Sequence, residues 1–296
     1  MLVALAAIWG SSFMFIKVGV RELTPATLIW LRIGLGTLTL APLALASPEV
    51  RAVLHRRWRS LTVVGVTNTA APFWLLSWGE TRIDSGLAAI IQAAAPIFIA
   101  VLAFVFVREE RSVGLRLVGV LAGFVGVALL VGVQPQGDVL AALAVVGMAL
   151  FYAIGILYAG RRFGGEPPLA VAFGSLLAST ILTTPAGIVE APAHVPGWKV
   201  VGSVLALGVI GLGIAYLLYF EIIGGAGASR AVLVTYLVPP MAVAYGAIFL
   251  GEPLKASALG GLALILGGVA LGSGTITWRR VARLRSTAAD PGCDLG

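Results

Sequence analysis

Charge is what this sequence has least of. Only 11% of its 296 residues are Asp, Glu, Lys or Arg, where a soluble domain carries ~25%. With 59% hydrophobic residues and a mean hydropathy of +1.02, too little polar surface remains to face water. Lipid has to be the solvent for most of the chain. The single cysteine, Cys293, excludes an internal disulfide. His55 and His194, the two histidines, fall in segments read as connections, and no cluster of metal ligands exists. No nucleophile is spaced with a base along an apolar run, so neither a catalytic residue nor a metal site is expected. A glycine loop ending in Lys-Ser or Lys-Thr is missing as well, which removes direct use of ATP and implies no cofactor. Acidic residues are absent from the interiors of the apolar runs. All thirteen sit at run ends, in connections or in the tail, with Glu80 and Glu221 nearest the membrane.

The long apolar runs are what the sequence has instead. A helix needs about 20 apolar residues to cross a ~30 Å hydrocarbon core. On that measure the chain predicts helices over 2–20, 25–46, 60–79, 84–107, 113–132, 138–159, 168–188, 198–220, 228–250 and 256–275. Thr24-Pro25 and Pro167-Pro168 open two of them with proline in the first turn, where its missing N–H is harmless. Arg51 to Arg59 reads as an interruption after the second run. The N-terminus is apolar from Leu2 and leads straight into a span, which does not read as a cleavable signal.

The net charge of +7 sits in short clusters between these runs, where lipid headgroups and topology signals use it, so no nucleic-acid partner is expected. Assigning connections alternately puts Arg51, Arg56, Arg57, Arg59, Arg108, Arg111, Arg116, Arg161, Arg162, Arg230, Arg279, Arg280, Arg283 and Arg285 on one side. The other side holds Arg21, Arg82, Lys199 and Lys255. Fourteen against four predicts that both termini are cytoplasmic.

The two halves match at an offset of 142 residues, pairing Trp9 with Phe151, Pro25 with Pro167, Glu110 with Glu252 and Gly119 with Gly261. Gly126-Val127-Ala128-Leu129 returns as Gly268-Val269-Ala270-Leu271, and Pro96 and Pro239 fall one residue out of register. Five helices per half is an odd number, so the second half enters the membrane from the opposite face. The expected fold is an all-α membrane protein of ten transmembrane helices in two inverted five-helix repeats. The first repeat covers 1–133 and the second 138–275, with a basic cytoplasmic tail over 276–296. Two related bundles can rock around a shared central site.

Trp9-Gly10-Ser11-Ser12-Phe13, with Lys17, Pro25 and Arg32 behind it, resembles the start of an EamA-type member of the drug/metabolite transporter superfamily. Ala95-Pro96, Glu110, Pro239 and Glu252 fit the same pattern, and the resemblance covers residues 1–275. One departure is that the second half reads Phe151-Tyr152-Ala153-Ile154-Gly155, so the first motif is not duplicated. The resemblance implies a ten-helix bundle that exports small metabolites, amino acids prominent among them, across a bacterial inner membrane. It also implies alternating access around a cavity lined by the first, third, fourth, sixth, eighth and ninth helices. Exchange of a nucleotide-sugar or a drug-like compound is one alternative; a membrane scaffold that moves nothing is another. The expected partners are a small-molecule substrate and the bilayer, with the chain as monomer or homodimer.

Polar and aromatic residues within spans are the candidates for a substrate site, because an unpaired polar group in hydrocarbon costs several kcal/mol, by rough estimate. These are Trp9 and Ser12 in the first helix, Asn68, Trp74 and Trp78 in the third, and Gln92 in the fourth. Tyr152, Tyr216 and Tyr236 join them from the sixth, eighth and ninth. Trp74 and Trp78 read equally as an interfacial belt, and each tyrosine as a helix-packing group. Pro96, Pro239 and Pro240 are expected to break or gate their helices, since proline removes a backbone bond one turn back. Lys17 is expected to snorkel to the surface. Arg32 could draw a substrate carboxylate or pin its helix through backbone carbonyls. Glu252 is expected to end a helix or pair with Lys255. Gly119, Gly123, Gly268 and Gly272 read as packing positions.

Overall fold

A computed structural model describes residues 1–106, 115–132, 138–226 and 233–272. Glu110, Arg111 and the basic tail lie outside the described residues. Among the described residues the chain is helical throughout. We number its rods α1 (Leu2–Gly19), α2 (Pro25–Ala46) and α3 (Pro48–Gly65, Val66–Ala70, Ala71–Glu80). The first half closes with α4 (Ser85–Gln92, Ala95–Phe106) and α5 (Leu115–Gly132). The second half holds α6 (Val139–Arg162), α7 (Pro168–Val189) and α8 (Trp198–Leu205, Ala206–Ile214, Ala215–Ala226). It ends with α9 (Val234–Tyr245, Gly246–Leu250) and α10 (Ala256–Gly272). Six stretches are long and apolar enough to cross a membrane, among them Leu2–Gly19, Val139–Arg162 and Trp198–Gly225. Val234–Leu250 and Ala256–Ala270 are shorter apolar helices.

The bundle is apolar outside, and its largely apolar interior also holds polar side chains. Leu38, Leu140, Ile181, Ile248 and Phe249 are exposed, whereas Ser12, Thr27, Arg32, Thr37, Thr69, Ser77, Glu80, Ser175 and Ser179 are buried. Lipid tails give apolar helices no reason to hide from solvent, so packing and interhelical hydrogen bonds have to hold the rods together. Thr37 and Thr180 share a hydrogen bond of 2.9 Å between α2 and α7, and the Trp30 indole donates to Thr184 at 3.0 Å. Close approach does the rest. A Cβ added to Gly268 of α10 would stand 2.6 Å from the Gly119 carbonyl oxygen of α5, so those backbones touch directly.

The most extensive contacts run α5–α10, α2–α7, α1–α9, α3–α7, α2–α8 and α3–α6, each joining one half to the other. Swapping the halves maps α1–α9 onto α4–α6, α2–α8 onto α3–α7, and α3–α6 onto α1–α8, all of which pack. Wide π turns also recur, at Val66–Ala70 of α3 and Ala206–Ile214 of α8. At the 142-residue offset the first maps to 208–212, inside the second. Such turns are rare and tend to mark functional sites.

Two expectations change. The stretch from Arg51 to Arg59 is helix, not an interruption, because Ser47 caps it by accepting from Val50 N–H at 3.3 Å and Pro48 fills the first turn. This piece bends away from the rest of α3 at Arg57 (φ −116°, ψ 16°), buries Val50 and Val53, and carries His55 on its exposed side. Arg56 ties it to Glu166 at 2.8 Å. Second, Pro239 and Pro240 do not break α9, which runs through both. Proline's own φ suits a helix, and α1 packs along α9 and carries the rod through them. The break appears in α4 instead, at Ala93-Ala94 just before Pro96, where Ala94 N–H turns to the Ile91 carbonyl at 3.0 Å.

Candidate functional site

The buried face of α3 carries a run of polar side chains. Thr69, Phe73, Ser77 and Glu80 follow each other at helical spacing and are all buried. Asn68 lies beside them in the π turn, and its Oδ1 faces Gly155 of α6, where even a methyl group would collide with it. Asn68 Oδ1, Ser77 Oγ and both Glu80 carboxylate oxygens are buried without a hydrogen-bond partner. Each such group costs about 1–3 kcal/mol, so a native fold keeps few without a use.

Arg32 reaches the same face from α2. It is 5% exposed, its guanidinium carbon lies 4.0 Å from the centre of the Phe73 ring, and its Nε and Nη1 have no partner. Tyr152, Tyr216 and Glu80 lie within electrostatic reach of it. Backbone carbonyls therefore do not absorb Nε or Nη1, and the cation faces Phe73 with donors to spare. An exposed arginine would spend those donors on water. Here the side chain is buried, and α8 packs on its backbone: a Cβ on Gly208 would come within 2.9 Å of the Arg32 carbonyl oxygen.

Around this centre the expected residues divide. Trp9 is half-buried; its indole donates to the Gly211 carbonyl in the π turn of α8 at 3.2 Å, and its ring lies 5.5 Å from Tyr219. Ser12 is buried on the same side, donating to the Ile8 carbonyl at 3.3 Å. Tyr152 packs against both apolar clusters of the bundle, and Tyr216 stacks on Phe220 with centroids 6.0 Å apart. Gln92 ends the first piece of α4, half-buried, and Tyr236 is half-buried in α9 against the larger cluster. Trp74 and Trp78 stand apart: they stack at 6.4 Å, Trp74 is 42% exposed, and Arg82 covers the Trp78 ring at 4.4 Å. That is an outward-facing aromatic pair under a cation, not a wall of the Arg32 centre. The cavity helices implied by the family resemblance also omit α2, which supplies Arg32.

Lys17 does not snorkel. Its ammonium donates to the carbonyls of Glu80 and Ile83, both at 2.7 Å, and so closes the C-terminal end of α3. A cation belongs there, because the last carbonyls of a helix are unsatisfied and carry partial negative charge. Lys17→Met is expected to lower stability by about 2–4 kcal/mol, since two charge-assisted bonds go together; thermal unfolding in detergent reads it. Glu252 also does other work than expected. Gly251, at φ 69°, turns the chain back, and the Glu252 carboxylate accepts from Ser85 N–H (2.8 Å), Ser85 Oγ (3.0 Å) and Gly86 N–H (3.0 Å). It caps the start of α4 across the two halves, while Lys255 pairs with Asp84 at 4.0 Å.

An all-helical chain with apolar flanks and uncommitted polar groups sealed in its interior has the build of a multi-span membrane transporter. The chain belongs to the EamA-like transporter family, whose model matches residues 1–132 and again 139–274; the family is a branch of the drug/metabolite transporter superfamily. It is similar to the uncharacterized transporter YvbV of Bacillus subtilis, 24% identical over 92% of this chain and 90% of that one. A protein named "Probable terminal-alkyne amino-acid exporter" from Streptantibioticus cattleyicolor is 29% identical over 98% of this chain and 96% of its own. The uncharacterized inner membrane transporter YedA of Escherichia coli K12 is 27% identical over 86% and 83%. A solved crystal structure, 21% identical, shares the fold with a TM-score of 0.67 over 93% of this chain and 96% of that one.

Proposed function

We propose that this transporter exports small metabolites, amino acids foremost, from the bacterial cytoplasm by alternating access. The observation that carries the reading is Arg32, a buried guanidinium with unspent donors among Phe73, Tyr152 and Tyr216. A planar cation with free N–H groups matches a carboxylate, and the aromatic surroundings match an apolar or aromatic side chain. Lys17 spends its charge on backbone carbonyls, which leaves little for a cargo bearing two or more phosphates. The relative named as an amino-acid exporter supports the same substrate class. Trp9, Ser12, Asn68, Gln92 and Tyr236 line the path in this reading, and the break before Pro96 gives it a hinge.

The two halves act as inverted repeats, with both termini cytoplasmic. The matched packing pairs and the paired π turns support that arrangement, and so does the fourteen-to-four arginine and lysine bias. Counterflow tests the cargo: the full chain in liposomes, loaded with unlabelled amino acids, should accumulate labelled ones with no ion gradient imposed. Empty liposomes should not. Equal label in both would end the amino-acid reading.

A further inference from the structure

Glu80 is the one acidic side chain among the described residues that is fully buried, at 0% exposure, and neither of its carboxylate oxygens has a hydrogen-bond partner. The sequence placed it near the membrane, at the end of a span, but gave no sign of its burial. α1 and the Ile83 turn close over it, with Lys17 bound to its own carbonyl. Apolar packing surrounds it, and Lys17 from α1, Glu252 from the α9–α10 turn and Arg32 from α2 are the charges within electrostatic reach. On the α6 side, Gly79 lies against Val145 and the Ala141 carbonyl, and Asp138 stands a turn beyond, at the helix start. On the α4 side, Asp84 is paired with Lys255. No donor is fixed on the anion and no acceptor on the acid. A structural carboxyl would have acquired one or the other.

Water has a way in. Asp84, Gly86, Glu252 and Lys255 contribute to the lining of a cavity of about 40 Å³ at this end of the bundle. A water molecule needs on the order of 10–15 Å³ by such a measure. Glu252, on that cavity, is also one of the groups whose charge reaches Glu80.

We propose that Glu80 is a proton-binding site, and that its loading and release couple solute movement to proton movement. The step is acid–base only. The carboxylate takes a proton from water by way of the Glu252 cavity, becoming a neutral acid, and returns it to water when the rods rearrange. Arg32 and Glu80 act on each other electrostatically, so a carboxylate seated on Arg32 changes the hold of Glu80 on its proton. The coupling rests on the transporter reading above; the proton site does not.

Infrared difference spectra of the reconstituted full chain, taken between about pH 5 and pH 9, test the site directly. The wild type should show the high-frequency band of a carboxylic acid lacking hydrogen-bond partners. Glu80→Gln should lose it, Glu80→Asp should restore a shifted band, and Arg32→Met should keep one. A band that survives Glu80→Gln, or that never appears in the wild type, overturns the proposal. A pH dye trapped in the vesicles then reads proton movement during counterflow of the labelled amino-acid mixture. Proton movement in the wild type and none in Glu80→Gln supports coupling. Counterflow without proton movement removes the coupling and leaves the exporter. An intact band without counterflow removes the amino-acid cargo and leaves the proton site.

Discussion

Arg32→Met should abolish transport and, at the same time, make the empty protein more stable. Both halves of that result come from the same two orphaned nitrogens. If the guanidinium holds the solute carboxylate, its removal costs the carrier about 2–5 kcal/mol of binding, a loss of roughly 30-fold to several thousand-fold. Without solute, those donors are desolvated and unspent, and replacing a poorly compensated buried charge with a packed apolar chain is neutral or stabilising by about 1–4 kcal/mol. The methionine would lie on Phe73, where the cation lies now at 4.0 Å. Arg32→Lys should recover little, because an ammonium offers no planar fork. Counterflow and thermal unfolding in detergent, measured on the same preparations, check the pair of effects. A loss of stability in Arg32→Met would mean the side chain serves the fold, and the site would have to be sought elsewhere.

Glu252→Ala should be among the most damaging changes at the bundle ends, by about 2–4 kcal/mol. Three hydrogen bonds converge on this carboxylate, two from backbone N–H groups at the positive end of α4. Loss of an ordinary helix cap costs ~1 kcal/mol, and charge-assisted bonds at a partly buried helix start cost more. Glu252→Gln should fall between, since the amide still offers one acceptor oxygen. Unfolding in detergent at neutral pH reads the order wild type, Gln, Ala. A Glu252→Ala protein as stable as the wild type would show that the α4 start is held by packing alone.

The positions of the helices were legible because hydrocarbon thickness and residue hydropathy set them, and both are local. Start points at Pro25 and Pro168 follow from proline chemistry, and the 142-residue offset needed no structure to see. The helix at Pro48 was also written there, as Ser-Pro-Glu, but its charge masked it as a connection. What could not be read was depth and partnership. Glu80 looks like any helix-end acid until Lys17, sixty-three positions away, is seen to seal that end. Glu252 looks like a partner for the nearby Lys255 until the turn at Gly251 aims it at Ser85. Arg32 was visible as an in-span cation, yet only its burial against Phe73 shows that its donors are unspent. In each case the decisive neighbour comes from another rod.

Since the broadest helix contacts all run from one half to the other, neither half owns its core. A polypeptide of only one half's length would find the surfaces it needs in a second molecule and nowhere within itself. Its assembly would depend on how many copies the membrane held. Joining two copies through a short connector replaces that search with a tethered one, at an effective concentration set by the connector. Two halves on one chain need not be identical: at the 142-residue offset Trp9 and Lys17 stand against Phe151 and Ala159, so a lopsided interior is possible.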